Sequence, residues 1–438
     1  MKPANRSPKA PSKPPLDFRL GVFFVWLLVL VPPFLWAPAA REAFRQPKLL
    51  TSEWLALASL VGFGWGLRRV EEVSLAGVWR LPAVRLAVPC LAVATAGLAT
   101  TGHPLHVREA LIDLWIGAAA LVGWSAALPS SRLERLLRGL LWPACALALL
   151  GIAQYLGIWQ PFNFETLKPG TRLAITSLAG NPGDLAAYLV LPCLVAQDVL
   201  RRRSRSGEGW GSPGVLAAAL ALAVSVCAIL WTQTLAAVAA LVAGSLLLWG
   251  ASLPRRQAVG LLAGGAVAVA LLTAVVPPLR QRVVEKGRAA AAGDWNAVLT
   301  GRLDGWRTAA WMLRRHPVTG VGHGAYEAEF VPAKLALLDQ GVRFFPDESL
   351  VLFGNAHDEL LEAGAEWGIP GLLALAWGLW VLVKALRRRP PEERSLALAG
   401  VAALAVLALV DFPFRVALVA FPALLFLSWV LHGPEAAA

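Results

Sequence analysis

One polar stretch, from about Arg280 to His357, holds the residues whose types and spacing could do chemistry. Its last residue, His357, opens a helical pattern that runs to Trp367. A neutral imidazole near pH 7 is a natural group to take a proton from a hydroxyl. A helix N-terminus also disfavours the imidazolium and so keeps a base available. A lone histidine at an interface is more often passive, but this neighbourhood makes His357 our candidate general base.

Arginine is the second residue type that recurs in the polar stretch and in the connection that contains Arg172. Its planar guanidinium offers paired donors that fit pyrophosphate oxygens. A single external arginine is more often a headgroup contact, so the choice among them needs further evidence. The external arginines are Arg172, Arg280, Arg282, Arg288, Arg302, Arg307 and Arg343.

Two other patterns in the polar stretch indicate structure rather than chemistry. Glu359, Glu362 and Glu366 follow helical spacing, and we interpret them as a solvated helix face. The glycine cluster GVGHG at 320–324 has no preceding strand and no Walker lysine. It therefore predicts a tight turn rather than a phosphate-binding loop.

The composition indicates what must position these residues. The 438 residues are 57% hydrophobic and 16% charged, whereas soluble domains are usually about 25% charged. A net charge of +12 could indicate nucleic-acid binding, but most Lys and Arg lie in short loops between apolar runs. That placement is typical of membrane topology and contact with anionic lipids, so we predict no nucleic-acid partner. The four cysteines lie in apolar runs without metal-ligand spacing, and we predict neither a disulfide nor a metal.

Twelve apolar runs of roughly 17–24 residues are long enough to span a bilayer. Short basic connections alternate along the chain and, with the basic N-terminus, define one cytoplasmic face. The predicted fold is an all-α polytopic membrane protein with both termini cytoplasmic. One large extracytoplasmic loop lies between spans 9 and 10. The runs cover 18–37, 50–67, 82–100, 109–128, 136–158, 183–200, 213–231, 234–251, 257–279, 367–386, 394–411 and 414–432.

The loop is predicted to contain short amphipathic helices. The first covers 301–315, where Leu303, Trp306, Ala310 and Leu313 form an apolar stripe at helical spacing. The predicted parts of the chain are a disordered basic tail at 1–17, spans 1–9 at 18–279, the periplasmic loop at 280–357, a loop-exit helix with spans 10–12 at 358–432, and a cytoplasmic tail at 433–438.

The ionisable residues in or beside the spans all lie near the outer ends, while the midplane is nearly free of charge. Charges at that depth are costly unless they face a watered cavity or a partner. We therefore predict an outward-open polar vestibule under the large loop. Snorkelling or pairing at the membrane interface would explain some of these ionisable residues individually, but it explains less well why they all lie on one side. The residues are Glu53, Arg108, Glu109, Asp113, Asp184, Asp411 and Arg415.

At these motifs the chain resembles the O-antigen ligase and O-antigen polymerase superfamily, bacterial lipid-linked glycan transferases of the GT-C type. The single external loop and the span count agree with that family, and the histidine segment and the loop are the most specific parts. Four stretches match in order between about 170 and 430: LAGNPGDLAAYLVLPCLV, GRLDGWRTAAWMLRRHPVTGVGHGAYEAEF, NAHDELLEAGAEWGIPGLL and LVDFPFRVALVAFPALLFL.

The resemblance implies an inverting, metal-independent transfer of a glycan from undecaprenyl pyrophosphate to an acceptor hydroxyl, with no cofactor. It places the family's catalytic base on His357 and its pyrophosphate-binding loop arginine on Arg302. The family often has Ser-Arg-Gly at the outer end of span 8, where this chain reads TQT at 232–234. We therefore predict Arg172 as the second cation. Asp358 replaces the asparagine that follows the family's histidine. Candidate supporting residues are Arg307, Asp411, Arg415 and Glu362.

The resemblance leaves the acceptor open. We expect an O-antigen ligase that acts on lipid A-core at the periplasmic face of the bacterial inner membrane, among membrane lipids. The alternatives are a polymerase, whose acceptor is a glycan, and a protein O-oligosaccharyltransferase. A lipid-linked oligosaccharide flippase is the alternative outside enzymes, but such carriers usually have midplane polar residues and internal repeats. In a non-catalytic scaffold, His357 and Arg302 would be replaceable.

Overall fold

The computed structural model of the chain is all-helical in the parts it describes, with no strand among them. The predicted all-α fold is confirmed there. Residues 1–15 of the predicted tail at 1–17, the predicted tail at 433–438 and most of the predicted ninth span at 257–279 lie outside the described residues. The prediction of disorder is wrong for Leu16 and Asp17, which begin the first helix because they continue directly into its apolar run. The loop between spans 9 and 10 stays a prediction. The described residues are 16–40, 42–67, 75–161, 169–206, 211–250, 277–344 and 353–432, with isolated positions between 256 and 274.

The helices are numbered in chain order among the described residues. Short 3-10 helices at Arg172–Ala174 and Pro413–Arg415 also border the site. The helices are α1 Leu16–Leu30, α2 Arg45–Leu67, α3 Leu75–Arg80, α4 Pro82–Ala96, α5 Pro104–Ala127, α6 Ser130–Gly139, α7 Leu141–Tyr155, α8 Pro182–Ser206, α9 Pro213–Trp231, α10 Leu235–Gly250, α11 Pro277–Ala291, α12 Trp295–Val298, α13 Arg302–Arg315, α14 Tyr326–Asp339, α15 Glu359–Arg388, α16 Pro391–Ala408 and α17 Ala417–Leu431.

Seven helical segments in the described ranges are long and apolar enough to cross a membrane. Backbone polar groups must be satisfied internally in lipid, which makes such runs helical. Each segment coincides with a predicted span, and α10 and α17 are shorter apolar helices on two further ones. The chain is thus a multi-pass membrane protein, while the count of twelve stays a prediction. The seven segments are Asp17–Phe34, Pro82–Ala99, Pro104–Ala127, Ser130–Tyr155, Pro182–Arg203, Pro213–Trp231 and Glu359–Arg388.

Helix α8 is the buried centre of the bundle, with every side chain from Asp184 to Asp198 buried. It packs against α7, α9, α10, α16 and α17. Lipid is as apolar as these side chains, so close packing rather than water exclusion holds such helices together. Small residues allow it: a Cβ on Gly244 of α10 would lie 3.1 Å from the carbonyl oxygen of Ala399 on α16.

The loop helices form a second core with the outer ends of α4 and α5. The predicted helix at 301–315 is confirmed as α13, but its buried face differs from the predicted apolar stripe. Asp304, Thr308 and Met312 lie on the buried face, whereas the predicted stripe is half-buried. The polar members are buried because they have partners: Thr308 Oγ1 lies 2.8 Å from the hydroxyl oxygen of Tyr326, and Asn296 Nδ2 donates to Asp304 at 2.7 Å.

The helical pattern predicted to run to Trp367 continues beyond it through a kink inside α15. Gly368 has φ of 67° within an otherwise continuous helix. The kink lets the loop dock, because a Cβ at Gly368 would lie 2.6 Å from the carbonyl oxygen of Pro317 and the N–H of Ile369 donates to that same oxygen at 2.8 Å. The outer part of α15 is thereby joined to the end of α13.

Candidate active site

His357 lies in the short segment that leads into α15. The helix begins at Glu359, and Asp358 is its N-cap: Asp358 Oδ1 accepts the N–H groups of Leu360 and Leu361 at 2.9 Å each. The prediction that His357 sits in the first helical turn is therefore wrong, because the helix starts two residues later. The side chain of Asp358 caps the helix, and the backbone of Asp358 is extended. His357 itself has φ of 56°, a left-handed conformation that costs a non-glycine residue about 1–3 kcal/mol and occurs mainly at functional sites.

The imidazole of His357 faces a carboxylate from a distant loop. Its Nδ1 lies 3.7 Å from Asp411 Oδ1, and the ring packs edge-on against Phe353 and Phe412, with centroids at 5.6 and 4.8 Å. Nδ1 is buried and has no hydrogen-bond partner among the described residues. A separation of 3.7 Å is too long for a hydrogen bond, but such contacts commonly shorten when substrate binds. A carboxylate beside Nδ1 is the arrangement that holds a histidine base in one tautomer.

Arg45 completes this side of the predicted vestibule. Its Nε and Nη2 donate to the two carboxylate oxygens of Asp184 at 2.9 and 3.1 Å, and its guanidinium lies 5.5 Å from the Phe412 ring centroid. The sequence reasoning missed Arg45 because it treated the segment before span 2 only as a connection. The signal in the sequence was that Arg45 and Asp184 have opposite charges and each lies at the predicted outer end of a span.

Three glutamates of α15 bind the segment that carries Asp411. Arg415 Nη2 lies 3.1 Å from Glu362 Oε1 and 2.5 Å from Glu366 Oε2, and the N–H of Phe414 donates to Glu359 Oε1 at 3.1 Å. Glu362 and Glu366 are each only 1% exposed. The interpretation of this ladder as a solvated face is therefore wrong, because a half-buried arginine from a distant part of the chain pairs with it.

The turn at 320–324 joins the same set of charges. His323 Nδ1 lies 2.9 Å from Glu366 Oε2 and 3.1 Å from the indole Nε1 of Trp367. Burial, followed by the charge of Arg415, lowers the pKa of His323 against the opposing effect of Glu366. The backbone docks as well, since the N–H of Gly322 donates to the Glu366 carbonyl at 3.0 Å. The predicted tight turn is confirmed, and its role is to close over α15. We call Arg415, Glu359, Glu362, Glu366 and His323 the charge network.

The close approach of this turn makes Gly320 sensitive to substitution. Gly320 has φ of 62°, and an added Cβ would overlap the backbone of Glu366. We expect Gly320→Ala to lower the free energy of unfolding by about 2–5 kcal/mol, from the left-handed backbone and the overlap together. Thermal unfolding of the purified protein in detergent measures this as a lower midpoint.

Gly341→Ala is the matched control for Gly320→Ala. Gly341 has φ of 81° with no heavy atom of the described residues within 4 Å of an added Cβ. It therefore isolates the backbone contribution of about 1–2 kcal/mol. Equal losses for the two variants would mean that the turn does not pack on α15 as described.

Four cations from three elements approach one another on the loop side of the bundle. They are Arg172 in its 3-10 helix, Arg282 and Lys286 on α11, and Arg302 at the start of α13. Burial, and then the charges of Arg282 and Arg302, lower the pKa of Arg172 to about 10. Burial and then Arg302 also lower the pKa of Arg282. Burial and then the three arginines lower the pKa of Lys286. We call these four residues the cation cluster.

The cation cluster has unused donors. The Nε atoms of Arg282 and Arg302 are buried and have no hydrogen-bond partner among the described residues. Buried donors are normally satisfied, and like charges held together repel until a counter-charge arrives. An anion with several oxygens, such as a pyrophosphate, would satisfy both the donors and the charges.

Hydrogen bonds hold two members of the cation cluster, Arg172 and Lys286, in place. Arg172 Nε donates to the carbonyl oxygen of Thr232 at 3.0 Å. Arg172 therefore reaches the turn at 232–234, where the pattern Ser-Arg-Gly was expected from the resemblance. Lys286 Nζ donates to Thr300 Oγ1 at 2.8 Å. Gly301, the N-cap of α13 with φ of 83°, then turns the chain so that Arg302 starts the helix.

Two of the four cations, Arg302 and Arg172, are residues that the sequence predicts for the site, whereas Arg282 and Lys286 are not. The signal for these two was their spacing of four residues in the basic opening of the polar stretch, which places them on one helix face. Arg307 lies elsewhere: its side chain is 38% exposed, and its Nη1 donates to the Arg343 carbonyl at 2.8 Å.

Helix α13 connects the cation cluster to the histidine. Its glycine, Gly305, packs directly on the segment before His357, because an added Cβ would lie 2.9 Å from the carbonyl oxygen of Ala356. Arg302 precedes Gly305 by three residues, about 4.5 Å along the helix axis. The helix that begins with Arg302 of the cation cluster is therefore packed against the segment that leads to His357.

Ionisable residues grouped beside the spans of a multi-pass membrane protein define a candidate functional site. A family model described as O-Antigen ligase matches residues 220–376, the region that contains α11 to α14 and His357. This match confirms the predicted resemblance and supports the placement of the chain in the O-antigen ligase and polymerase superfamily. No curated protein matches the chain in a sequence search.

Proposed function

We propose that this protein transfers a glycan from undecaprenyl pyrophosphate to an acceptor hydroxyl at the periplasmic face of the bacterial inner membrane. The observation that carries the proposal is the packing of Gly305 on Ala356, which places the helix that begins with Arg302 against the segment that leads to His357. A base for an incoming hydroxyl and cations for a departing pyrophosphate are the two groups that such a transfer needs. The family match supports a ligase-like or polymerase-like enzyme.

In the proposed mechanism the cation cluster binds the two phosphates of the donor and leaves the sugar toward His357. The acceptor hydroxyl oxygen attacks the anomeric carbon from the face opposite the pyrophosphate, which inverts that centre. Its proton passes to His357, whose imidazolium Asp411 then stabilises. The bond between the anomeric carbon and the phosphate oxygen breaks, and undecaprenyl pyrophosphate leaves with both electrons. The arginines stabilise the charge that develops on it.

The acceptor is proposed to be the sugar of lipid A-core, which makes the protein an O-antigen ligase. A glycolipid gel of a deletion strain tests this assignment. Loss of a ligase leaves long glycan on undecaprenyl pyrophosphate and bare lipid A-core. Single repeat units on the final acceptor would instead identify a polymerase, and an unchanged glycolipid pattern with unglycosylated proteins would identify a protein glycosyltransferase.

The transfer itself is tested in vesicles that contain the purified protein. With undecaprenyl-pyrophosphate-linked glycan and lipid A-core as substrates, we expect glycosylated lipid A-core and free undecaprenyl pyrophosphate in equal amounts. Chelation with EDTA is expected to leave the rate within about twofold, because the proposed mechanism uses arginines in place of a metal. Movement of donor across the bilayer without glycan transfer would identify a flippase and contradict the proposal.

A further inference from the structure

The two members of the histidine–aspartate pair come from separate connections. His357 precedes α15, while Asp411 follows α16, and among the described residues only the 3.7 Å contact and the packing of Phe412 join them directly. A displacement of about 1 Å at a reacting group can cost on the order of 100-fold in rate. Their separation must therefore be set by other contacts.

One carboxylate holds both connections. Glu362 Oε2 accepts the N–H of Ala356 at 2.8 Å, which fixes the residue directly before His357. The other oxygen, Oε1, lies 3.1 Å from Arg415 Nη2, four residues after Asp411. Glu362 is on the first turn of α15 and 1% exposed, so solvent competes little for either contact.

Contacts from the same helix hold the second connection at two more points. Glu366 Oε2 binds Arg415 Nη2 at 2.5 Å, and Glu359 Oε1 accepts the N–H of Phe414 at 3.1 Å. The carboxylate of Asp411 is oriented locally, since its Oδ1 accepts the N–H of Phe412 at 3.1 Å. The end of this segment at Phe414 and Arg415, a few residues after Asp411, is thus attached to α15.

These contacts also balance the backbone strain at His357. Its left-handed conformation, with φ of 56°, is held from one side by the Glu362 bond to Ala356 and from the other by the Asp358 cap. Such a conformation persists only where the surroundings determine it. Loss of the Glu362 carboxylate charge would weaken its bridge to Arg415, while the bond to the Ala356 N–H can remain.

We propose that Glu362 and Arg415 are positioning residues that set the distance between His357 and Asp411 without touching the substrate. The inference rests on the proposed function and deepens it, because it explains how a loop-borne base is aligned. It also assigns the charge network a role in the rate of the reaction rather than in donor binding.

The test uses Glu362→Gln in the full-length protein in vesicles. Glutamine has the same shape and can still accept the Ala356 N–H, but it lacks the charge that binds Arg415. We expect kcat to fall about 10–100-fold while the KM for the lipid donor stays within about twofold. Arg415→Lys restores a charge without the two-pronged geometry and is expected to recover part of the rate lost in Arg415→Met.

Glu393→Gln is the matched control. It removes a carboxylate from another arginine ion pair, in which Glu393 lies 2.7 Å from Arg389 Nη1. This pair lies where α15 ends and α16 begins, at the ends of these helices away from His357 and Asp411. Glu393→Gln should leave kcat within about twofold, because it lies far from the pair that the proposal aligns. Elution and thermal midpoint in detergent show the folded fraction of each variant, and kcat is expressed per folded protein. If Arg415→Met fails to fold, Glu362→Gln alone decides the result.

A double-mutant cycle separates positioning from general destabilisation. If Glu362 acts through Asp411, adding Glu362→Gln to the Asp411→Asn variant should lower kcat by no more than about twofold. The reason is that the effects of coupled residues are not additive. Fully multiplicative losses, or a kcat for Glu362→Gln equal to that of Glu393→Gln, would overturn the inference. Activity that survives loss of His357 would instead overturn the proposed function, so the two failures are distinguishable.

Discussion

Replacement of His357 by asparagine is expected to lower the rate of glycan transfer by about 100-fold to 10,000-fold, the contribution of a positioned general base. Asparagine is the informative substitution because it tolerates the left-handed backbone that His357 adopts, with φ of 56°. The variant should therefore reach the membrane at the normal level. The measurement is the initial rate of transfer to lipid A-core in vesicles, at saturating donor.

His316→Asn is the control for this experiment. His316 is an exposed histidine at the C-terminal end of α13, and its replacement should leave the rate within about twofold, since exposed substitutions away from a site have small effects. A His357→Asn protein that folds and transfers at the rate of the His316 variant would show that His357 is not the base. Asp411→Asn is expected to lie between them, because it removes the orienting carboxylate and leaves the imidazole.

The second large effect is expected at the cation cluster. Arg302→Gln should raise the KM for the lipid-linked donor about 10–100-fold, since a hydrogen bond to a charged group contributes about 1.5–3 kcal/mol. Arg282→Gln should act in the same direction, because its Nε is also buried without a partner among the described residues. The rate at saturating donor should fall as well, since the charge that these arginines stabilise grows as the pyrophosphate leaves.

Inorganic pyrophosphate provides an independent measurement of the cation cluster. It should inhibit the wild-type protein competitively against the donor, and the inhibition constant should rise in Arg302→Gln. Arg314→Gln removes one charge from an exposed position of the same helix and controls for general attraction of anions. Equal KM values for the Arg302 and Arg314 variants would show that the donor pyrophosphate binds elsewhere.

The spans that the structure describes could be predicted because their signals are local, and a local signal also led to the hypothesis that His357 is the base. An apolar run of bilayer length has few alternatives to a helix, and His357 stood out by its place between the polar stretch and a helical pattern. The helix cap was the local detail that the prediction placed incorrectly, since Asp358 rather than His357 starts the turn.

The electrostatic partners could not be predicted in the same way. Glu362 and Glu366 have the spacing of a solvated helix face, and only the fold brings Arg415 to them from 49 and more residues away. Arg282 and Lys286 likewise gain meaning only from Arg172, which lies far earlier in the chain. Pairing over such separations is decided by how spans pack, which hydrophobic periodicity does not encode.

The contact between Arg172 and the Thr232 carbonyl has a consequence for the comparison of sequences. Arg172 approaches the turn at 232–234 from 60 residues earlier in the chain, while the turn itself contains no basic residue. A column-by-column alignment would score that turn as having lost its cation. The guanidinium nevertheless lies there, supplied by another connection. In this chain the charge at that turn is set by how the connections fold together, and a list of motif positions along the sequence would miss it.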